Sequence, residues 1–391
     1  MLGSFTTSFM GSLPRPKDVM RAQRRHRKGA MGDAEFAQLI AERTREVVES
    51  QDRAGLDLIV SGELARDSYV SFISEKIAGT TRMTMLDMLA YLEDKDAFEE
   101  MLTTLDVPAS GIANAICTGP LSCERGIALD ELELVRRFTD KPVKVTLPGP
   151  YLVTRSMWLA EVSRPAYASK EELGEAVIGI MREEVARLAA AGAAVIQFDE
   201  PVLTEVVFTP GKTRTFMCAA LAEKKDPAEE LEFATHLIGS VLGAVDRSRT
   251  KACLHICRGN WSRDESILLT GPYTPLVPLM EAVCPDVLFL EYSTPRAGEL
   301  SSLLSSAVIR ERCVLGLGVE NPRTAEVESV ESIVARAEEA LRWLPPEQLW
   351  LNPDCGFATF ANRPVSEAGT IARKAEALVE AARILRQRHG C

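Results

Sequence analysis

His255 and Cys257 stand two residues apart in the run Leu254-His255-Ile256-Cys257-Arg258-Gly259-Asn260-Trp261. Residues 252–257 read as a β-strand, and side chains at i and i+2 of a strand leave the same face. An imidazole and a thiol therefore converge on one spot, and both are zinc ligands. Two ligands do not close a site. Further donors stand at Glu291, in Glu291-Tyr292-Ser293, and at Cys355, in Asn352-Pro353-Asp354-Cys355-Gly356. Each follows a short apolar run. Singly, such residues serve as readily in a salt bridge or a core. Together His255, Cys257, Glu291 and Cys355 supply N, S, O and S, a donor set for Zn²⁺. Two protein thiolates make such a metal electron-rich, which suits holding a substrate thiol as its thiolate. A free thiol has a pKa of about 8.5, and metal binding removes its proton at neutral pH. The residues thus predict alkylation of a thiol. A closed structural zinc is the other use, and a chain with this large an apolar core rarely needs one.

These donors need elements that bring them together. Strand-like runs and helical periods alternate along nearly the whole chain. Runs at 6–13, 58–60, 143–147, 195–198, 252–256, 287–290, 314–317 and 349–351 read as strands. Helices are predicted over 34–54 (Asp33 as N-cap, Gly55 as stop), 170–191 (Ser169 as cap), 227–246, 327–344 and 366–386. About eight short apolar strands, each mostly followed by a helix, predict an α/β fold, a (β/α)8 TIM barrel. Its parallel strands are apolar throughout, as strands buried on both faces must be. In a barrel all C-terminal strand ends share one face. Ser12, Glu63, Asp199-Glu200, His255 with Cys257, Glu291 and Cys355 all fall at such ends. A doubly wound open sheet is the alternative. Against it, no G-x-G-x-x-G follows the first strand, and no G-x-x-x-x-G-K-[ST] occurs. The reading is one catalytic barrel over 1–391, with residues 68–118 breaking the rhythm as an insertion in the N-terminal third. That insertion is expected to hold a helix over 87–102 and a hairpin around 113–120.

Composition narrows the partners. The net charge is 45 − 56 = −11, opposite in sign to a nucleic-acid surface. No run of 18 apolar residues suggests a membrane span, and the N-terminus lacks a signal-peptide pattern. A cytoplasmic protein with free thiols is expected, since nine scattered cysteines form no disulfide framework. The basic run Arg21, Arg24, Arg25, His26, Arg27, Lys28 reads as a solvated helix end or as a contact for an anionic substrate tail. Nothing here sets the oligomeric state.

The motifs Gly11-Ser12-Leu13-Pro14, Gly62-Glu63 with Arg66, Gly149-Pro150, Gln197-Phe198-Asp199-Glu200-Pro201, His255-x-Cys257, Glu291 and Asn352-Pro353-Asp354-Cys355-Gly356 span the chain in one order. In them the chain resembles the cobalamin-independent methionine synthase family, in its C-terminal catalytic barrel. The resemblance implies a zinc held by His255, Cys257, Glu291 and Cys355, and a methyl transfer to homocysteine giving methionine. It implies that Glu63 and Asp199 are catalytic and hold the amino group of homocysteine, with Ser12 at its carboxylate. Two carboxylates match an ammonium, although an acid at a strand end also serves as a helix cap. Trp158 is the candidate to stack a pterin, or else a packing residue.

The chain departs from the family in three ways. The additional N-terminal barrel of the long form is absent, so a short form is expected. The segment Gly318-Val319-Glu320-Asn321-Pro322-Arg323 lacks the histidine that the family usually carries after the seventh strand. The 68–118 insertion has no counterpart in the pattern. The methyl donor is accordingly methyltetrahydrofolate or a methylated corrinoid protein. The alternative is a thiol alkylation like that of epoxyalkane:coenzyme M transferase, whose substrate sulfonate would want arginines; Arg15, Arg66, Arg258 and Arg296 stand near strand ends. A metal-free barrel of the uroporphyrinogen decarboxylase type and a non-catalytic zinc or thiol binder are the remaining readings.

Overall fold

The protein is described by a computed structural model covering residues 2–91, 113–208, 226–264 and 268–391. Its strands are β1 (Ala78–Thr84), β2 (Ala113–Ser122), β3 (Lys144–Pro148), β4 (Val195–Asp199), β5 (Lys251–Ile256), β6 (Val287–Glu291), β7 (Val314–Glu320) and β8 (Leu349–Pro353). Strands β3 to β8 form one sheet in sequential order, all parallel. Nearly every residue in them is buried, which is why they read as unbroken apolar runs.

Two further staves close the ring. Thr7 bridges Leu351 of β8, Ser8 bridges Leu58, and Ile59 bridges Val143 just before β3, all parallel. The result is an eight-stave TIM barrel. The first stave is much shorter than the strand read over 6–13. There the Asp57 carboxylate accepts from both the N–H and the hydroxyl of Thr7, at 2.9 Å each. Side-chain bonds thus do part of a ladder's work. Inside the ring, Met10, Leu58, Val195, Cys253, Val287, Phe289 and Trp350 form an apolar layer. Gly316 of β7 is required there. A Cβ at 316 would lie 2.2 Å from Phe289 Cδ1. Gly316→Ala is therefore expected to lose about 1–3 kcal/mol by overpacking, read as a lower urea midpoint at unchanged m-value.

The helices lie outside the ring. Asp33–Ala54 ends at Gly55, whose φ of 88° is the left-handed stop. Its cap is Gly32, so Asp33 is the first helical residue, where its charge still favours the helix dipole. Lys170–Ala190 starts at Ser169, whose side chain accepts from the Glu172 N–H. Lys17–Arg27, Pro227–Leu242, Val330–Ala340 and Ala368–His389 are the other long helices among the described residues. No helix among the described residues is long and apolar enough to cross a membrane.

Residues 113–122 do not fold back on themselves as the expected hairpin. They form the single strand β2, paired antiparallel with β1, from Thr84↔Ala113 to Ala78↔Ser122. Its first half is buried, so it gains more by lying against the barrel than by turning at Gly119-Pro120. Of the helix expected over 87–102, the described part is one turn, Met85–Met88, followed by a 3-10 turn, Leu89–Tyr91. The rest lies outside the described residues.

Candidate metal centre and substrate cavity

Parallel pairing puts the strand ends in line. Asp199 ends β4 directly opposite His255 of β5, and Glu291 ends β6 opposite Gly318 of β7. Cys257 follows β5, and Cys355 follows β8. One ligand atom each of His255, Cys257 and Cys355 lies within 4.8 Å of the others, and all three residues are buried. Ligand atoms around a tetrahedral zinc lie about 3.5–3.8 Å apart, so the group fits a metal ion.

Within the group the three side chains hold one another's protons, which a metal ion would have to displace. Cys355 donates its S–H to Cys257. That bond holds the Cys257 thiol below the ordinary range against the cost of burial, with His255 helping. The same bond and burial push Cys355 well up. Burial pulls the His255 imidazole down, but the hydrogen bond and charge of Asp199 outweigh it and hold the pKa at about 9. His255 Nδ1 donates to Asp199 Oδ1 at 2.7 Å, which fixes the ring; Nε2, 3.3 Å from the Asp354 carbonyl oxygen, is the nitrogen a metal ion would take.

Glu291 stands beside this group and does not join it. Its Oε1 accepts from the Arg258 N–H at 2.8 Å and from Asn260 Nδ2. Its Oε2 is buried with no hydrogen-bond partner among the described residues. An unpaired carboxylate oxygen in the interior is costly, and a metal ion is the partner its chemistry fits. Asp354 holds the loop that carries Cys355. It accepts from the Tyr292 and Ser293 N–H groups at 3.0 Å each, and burial beside Glu291 raises its pKa to about 7.

A cavity opens on this centre. Ser12, Glu63, Asp199, His255, Cys257 and Cys355 all line it, with Trp261, Asn260, Gln197 and Tyr69. Glu63 is built into place. Thr146 Oγ1 donates to its Oε1 at 2.8 Å, Arg66 stands 3.8 Å away, and its Oε2 is buried without a partner among the described residues. Burial pushes the Glu63 carboxyl up, against the pull of Arg66 and Arg15. A Cβ at Gly11 would lie 2.4 Å from Glu63 Oε1, and one at Gly356 would lie 2.2 Å from Ser12 Oγ. The glycines that flank these motifs therefore make room for the cavity wall. Asp199 takes a second donor, Gln197 Nε2, at 2.7 Å.

Two candidates go elsewhere. Arg15 is buried and donates to the Leu13, Ala358 and Arg66 carbonyls, so it fastens three loop segments. Trp158 is buried in the main apolar core and does not line the cavity. Arg66 forks onto Glu131, with Nε–Oε1 at 2.7 Å and Nη2–Oε2 at 3.0 Å. The Arg258 guanidinium lies over the Tyr273 ring at 4.2 Å. No arginine or lysine lines the cavity among the described residues. Sequence reasoning missed Asn260, Gln197, Thr146, Trp261 and Asp354. Asn260, Trp261, Gln197 and Asp354 lie inside the quoted stretches without having been given a role, and Thr146 lies three positions before Gly149-Pro150.

The fold and site define an α/β barrel whose C-terminal face gathers two carboxylates and an imidazole–dithiol group that could hold a metal ion. The chain belongs to the family described as cobalamin-independent synthase, catalytic domain, which it matches over residues 5–382. It is 26% identical over 357 residues to the 5-methyltetrahydropteroyltriglutamate–homocysteine methyltransferase of Thermotoga petrophila, covering 91% of this chain and 42% of that protein. It is 25% identical over 389 residues to the protein of the same name from Acidithiobacillus ferrooxidans, again covering 42% of it. The chain thus spans under half the length of these relatives. Among solved structures it resembles a B12-independent methionine synthase from Shewanella sp. W3-18-1, with a TM-score of 0.72, 20% identity and 98% of each chain covered. That likeness supports the fold.

Proposed function

We propose that the protein transfers a methyl group to the thiol of homocysteine, giving methionine, with a zinc ion held by His255, Cys257, Cys355 and Glu291. The observation that carries this reading is the cavity itself. It joins a buried imidazole–dithiol group to two acid side chains, Glu63 and Asp199, and among the described residues no arginine or lysine lines it. A ligand bearing both a thiol and an ammonium matches that wall. Zinc bound there would keep the substrate sulfur deprotonated and nucleophilic at neutral pH.

The chain's own residues do the rest. Glu63 Oε2 and Asp199 accept the substrate ammonium, and the backbone around Ser12 takes its carboxylate. Asp199 serves two sides, since it also holds His255 by Nδ1. Holding both ends of the amino acid aims its thiol at Cys257 and Cys355 and lowers the entropy cost of reaction. Arg15 and Trp158 support the walls and take no substrate. A cytoplasmic location fits this chemistry. The methyl donor is methyltetrahydrofolate or a methylated corrinoid. The sulfonate-thiol alternative is disfavoured, because none of Arg15, Arg66, Arg258 and Arg296 lines the cavity.

The test is methionine formation from homocysteine by the zinc-loaded protein, with each donor supplied in turn. No turnover with either donor, in protein shown to carry zinc, would refute the reaction. Glu63→Gln is expected to raise KM for homocysteine by roughly 10- to 100-fold, the loss of one charge-assisted hydrogen bond, while zinc content stays unchanged. A matching fall in zinc would place Glu63 in the metal centre instead.

A further inference from the structure

We propose that Asn260 and Arg323 are positioning residues that dictate which oxygen of Glu291 is offered to the metal; this rests on the zinc reading above. Asn260 is 2% exposed and lines the cavity. Its amide works in both directions. Nδ2 donates to Glu291 Oε1, and Oδ1 accepts from Arg323 Nε at 3.0 Å. The Arg258 N–H adds a second donor to the same Glu291 oxygen, at 2.8 Å. Oε1 is therefore taken by two donors, and the buried Oε2 by none among the described residues. A carboxylate held in this way offers one oxygen only.

Arg323 is what orients the amide. An asparagine amide has two faces of opposite polarity. Turned over, it would set its oxygen against the Glu291 carboxylate and its NH2 against the guanidinium. The cation of Arg323 makes that state unfavourable at both ends. Arg323 is itself tied down. Its N–H donates to Asn321 Oδ1 at 3.1 Å, and the Asn321 N–H donates to Glu328 Oε1 at 2.8 Å. A relay thus runs from the loop after β7, through the loop after β5, to the end of β6. The β5 loop is shaped for it by Gly259, whose φ is 97° and at which a Cβ would lie 2.3 Å from the Trp261 ring. The relay touches no cavity carboxylate that the substrate reading uses, so its effect falls on the metal.

The experiment is a double-mutant cycle on zinc affinity, measured by competition with a chromophoric chelator, with cobalt(II) absorption as a second readout. Asn260→Ala and Glu291→Ala are each expected to weaken zinc binding by about 10- to 100-fold, the usual effect of losing an outer partner or a weak ligand. The double variant should be no weaker than Glu291→Ala alone, because Asn260 acts only through that carboxylate. Arg323→Met should reproduce part of the Asn260→Ala loss. Asn260→Ala and Glu291→Ala should both alter the cobalt ligand-field bands, with thermal melts that show folded protein. Additive effects, or wild-type affinity in either single variant, would overturn the proposal. A variant that melts out of range is replaced by Arg323→Met paired with Glu291→Ala, judged by the same criterion. Loss through Cys355→Ala with additive Asn260 and Glu291 effects would leave the zinc reading standing and remove this one. A wild-type protein that binds no zinc would remove both.

Discussion

Replacing Cys355 by alanine is expected to take zinc from about one per chain, as a four-ligand site holds, to near none. Methyl transfer should fall at least ~10³-fold, a barrier increase of ~4 kcal/mol. The argument is one of charge and geometry. Cys355 is one of the three donors grouped within 4.8 Å, and it supplies one of the two thiolates that a zinc ion would take there. Without it the group keeps only the His255 nitrogen and the Cys257 sulfur, too few to hold the ion tightly. The fold should survive, because the loop at 355 is held by its neighbour. Asp354 remains bonded to the Tyr292 and Ser293 N–H groups. The check is elemental analysis beside a circular-dichroism melt. Near-stoichiometric zinc in a folded Cys355→Ala protein would refute the ligand set.

Asp199→Asn is expected to cost nearly as much in activity and far less in metal. Asp199 accepts from His255 Nδ1 and from Gln197 Nε2, both at 2.7 Å, while it lines the cavity. An amide keeps the size and removes the charge. The ammonium then loses one of two carboxylates; Asp199 is half-buried, so the ~3–5 kcal/mol of a fully buried charge pair is an upper bound, and a loss of roughly 10²- to 10³-fold in kcat/KM, ~3–4 kcal/mol, is expected. The effect on zinc is indirect, through the aim of the imidazole, and should be a 10- to 100-fold loss of affinity. Kinetics on protein held at saturating zinc separate the two effects. Wild-type kcat/KM under those conditions would show that Asp199 orients His255 and does nothing for the substrate. Against Glu63→Gln, which should leave zinc unchanged, the pair maps where the metal centre ends and the ammonium site begins.

The barrel and its donors were legible for a simple reason. Parallel strands buried on both faces are continuous apolar runs, and their C-terminal ends carry the polar residues that the core excludes. Ser12, Glu63, Asp199, His255, Cys257 and Cys355 were all marked by that boundary, and all line one cavity. The i, i+2 spacing of His255 and Cys257 also held, because it follows from the pleat. Arg15 was marked by its proximity to a strand end and Trp158 by the family resemblance, yet both turn inward. Arg15 is drawn to three carbonyls of the loops it joins, and Trp158 to apolar packing. Direction depends on partners far along the chain, which spacing does not record. The strand β2 was misread for a related reason. Its partner β1 lies some 30 residues earlier, counted from Thr84↔Ala113, and a turn-forming pair at Gly119-Pro120 looked like a nearer solution.

Residue types and their order were enough to put thiols, an imidazole and carboxylates at the strand ends of a parallel barrel. Those features are local or periodic, so they survive in one dimension. Folding alone settled which groups meet. It set Asp199 on His255 rather than on a helix cap, left Glu291 with one oxygen engaged and one open, and hung that carboxylate from Asn260 and Arg323. Among the described residues it also kept the arginines off the cavity wall. Each of these turns on a hydrogen bond about 3 Å long between residues tens of positions apart. Only the closed ring, with its register fixed strand by strand, brings such pairs to that distance.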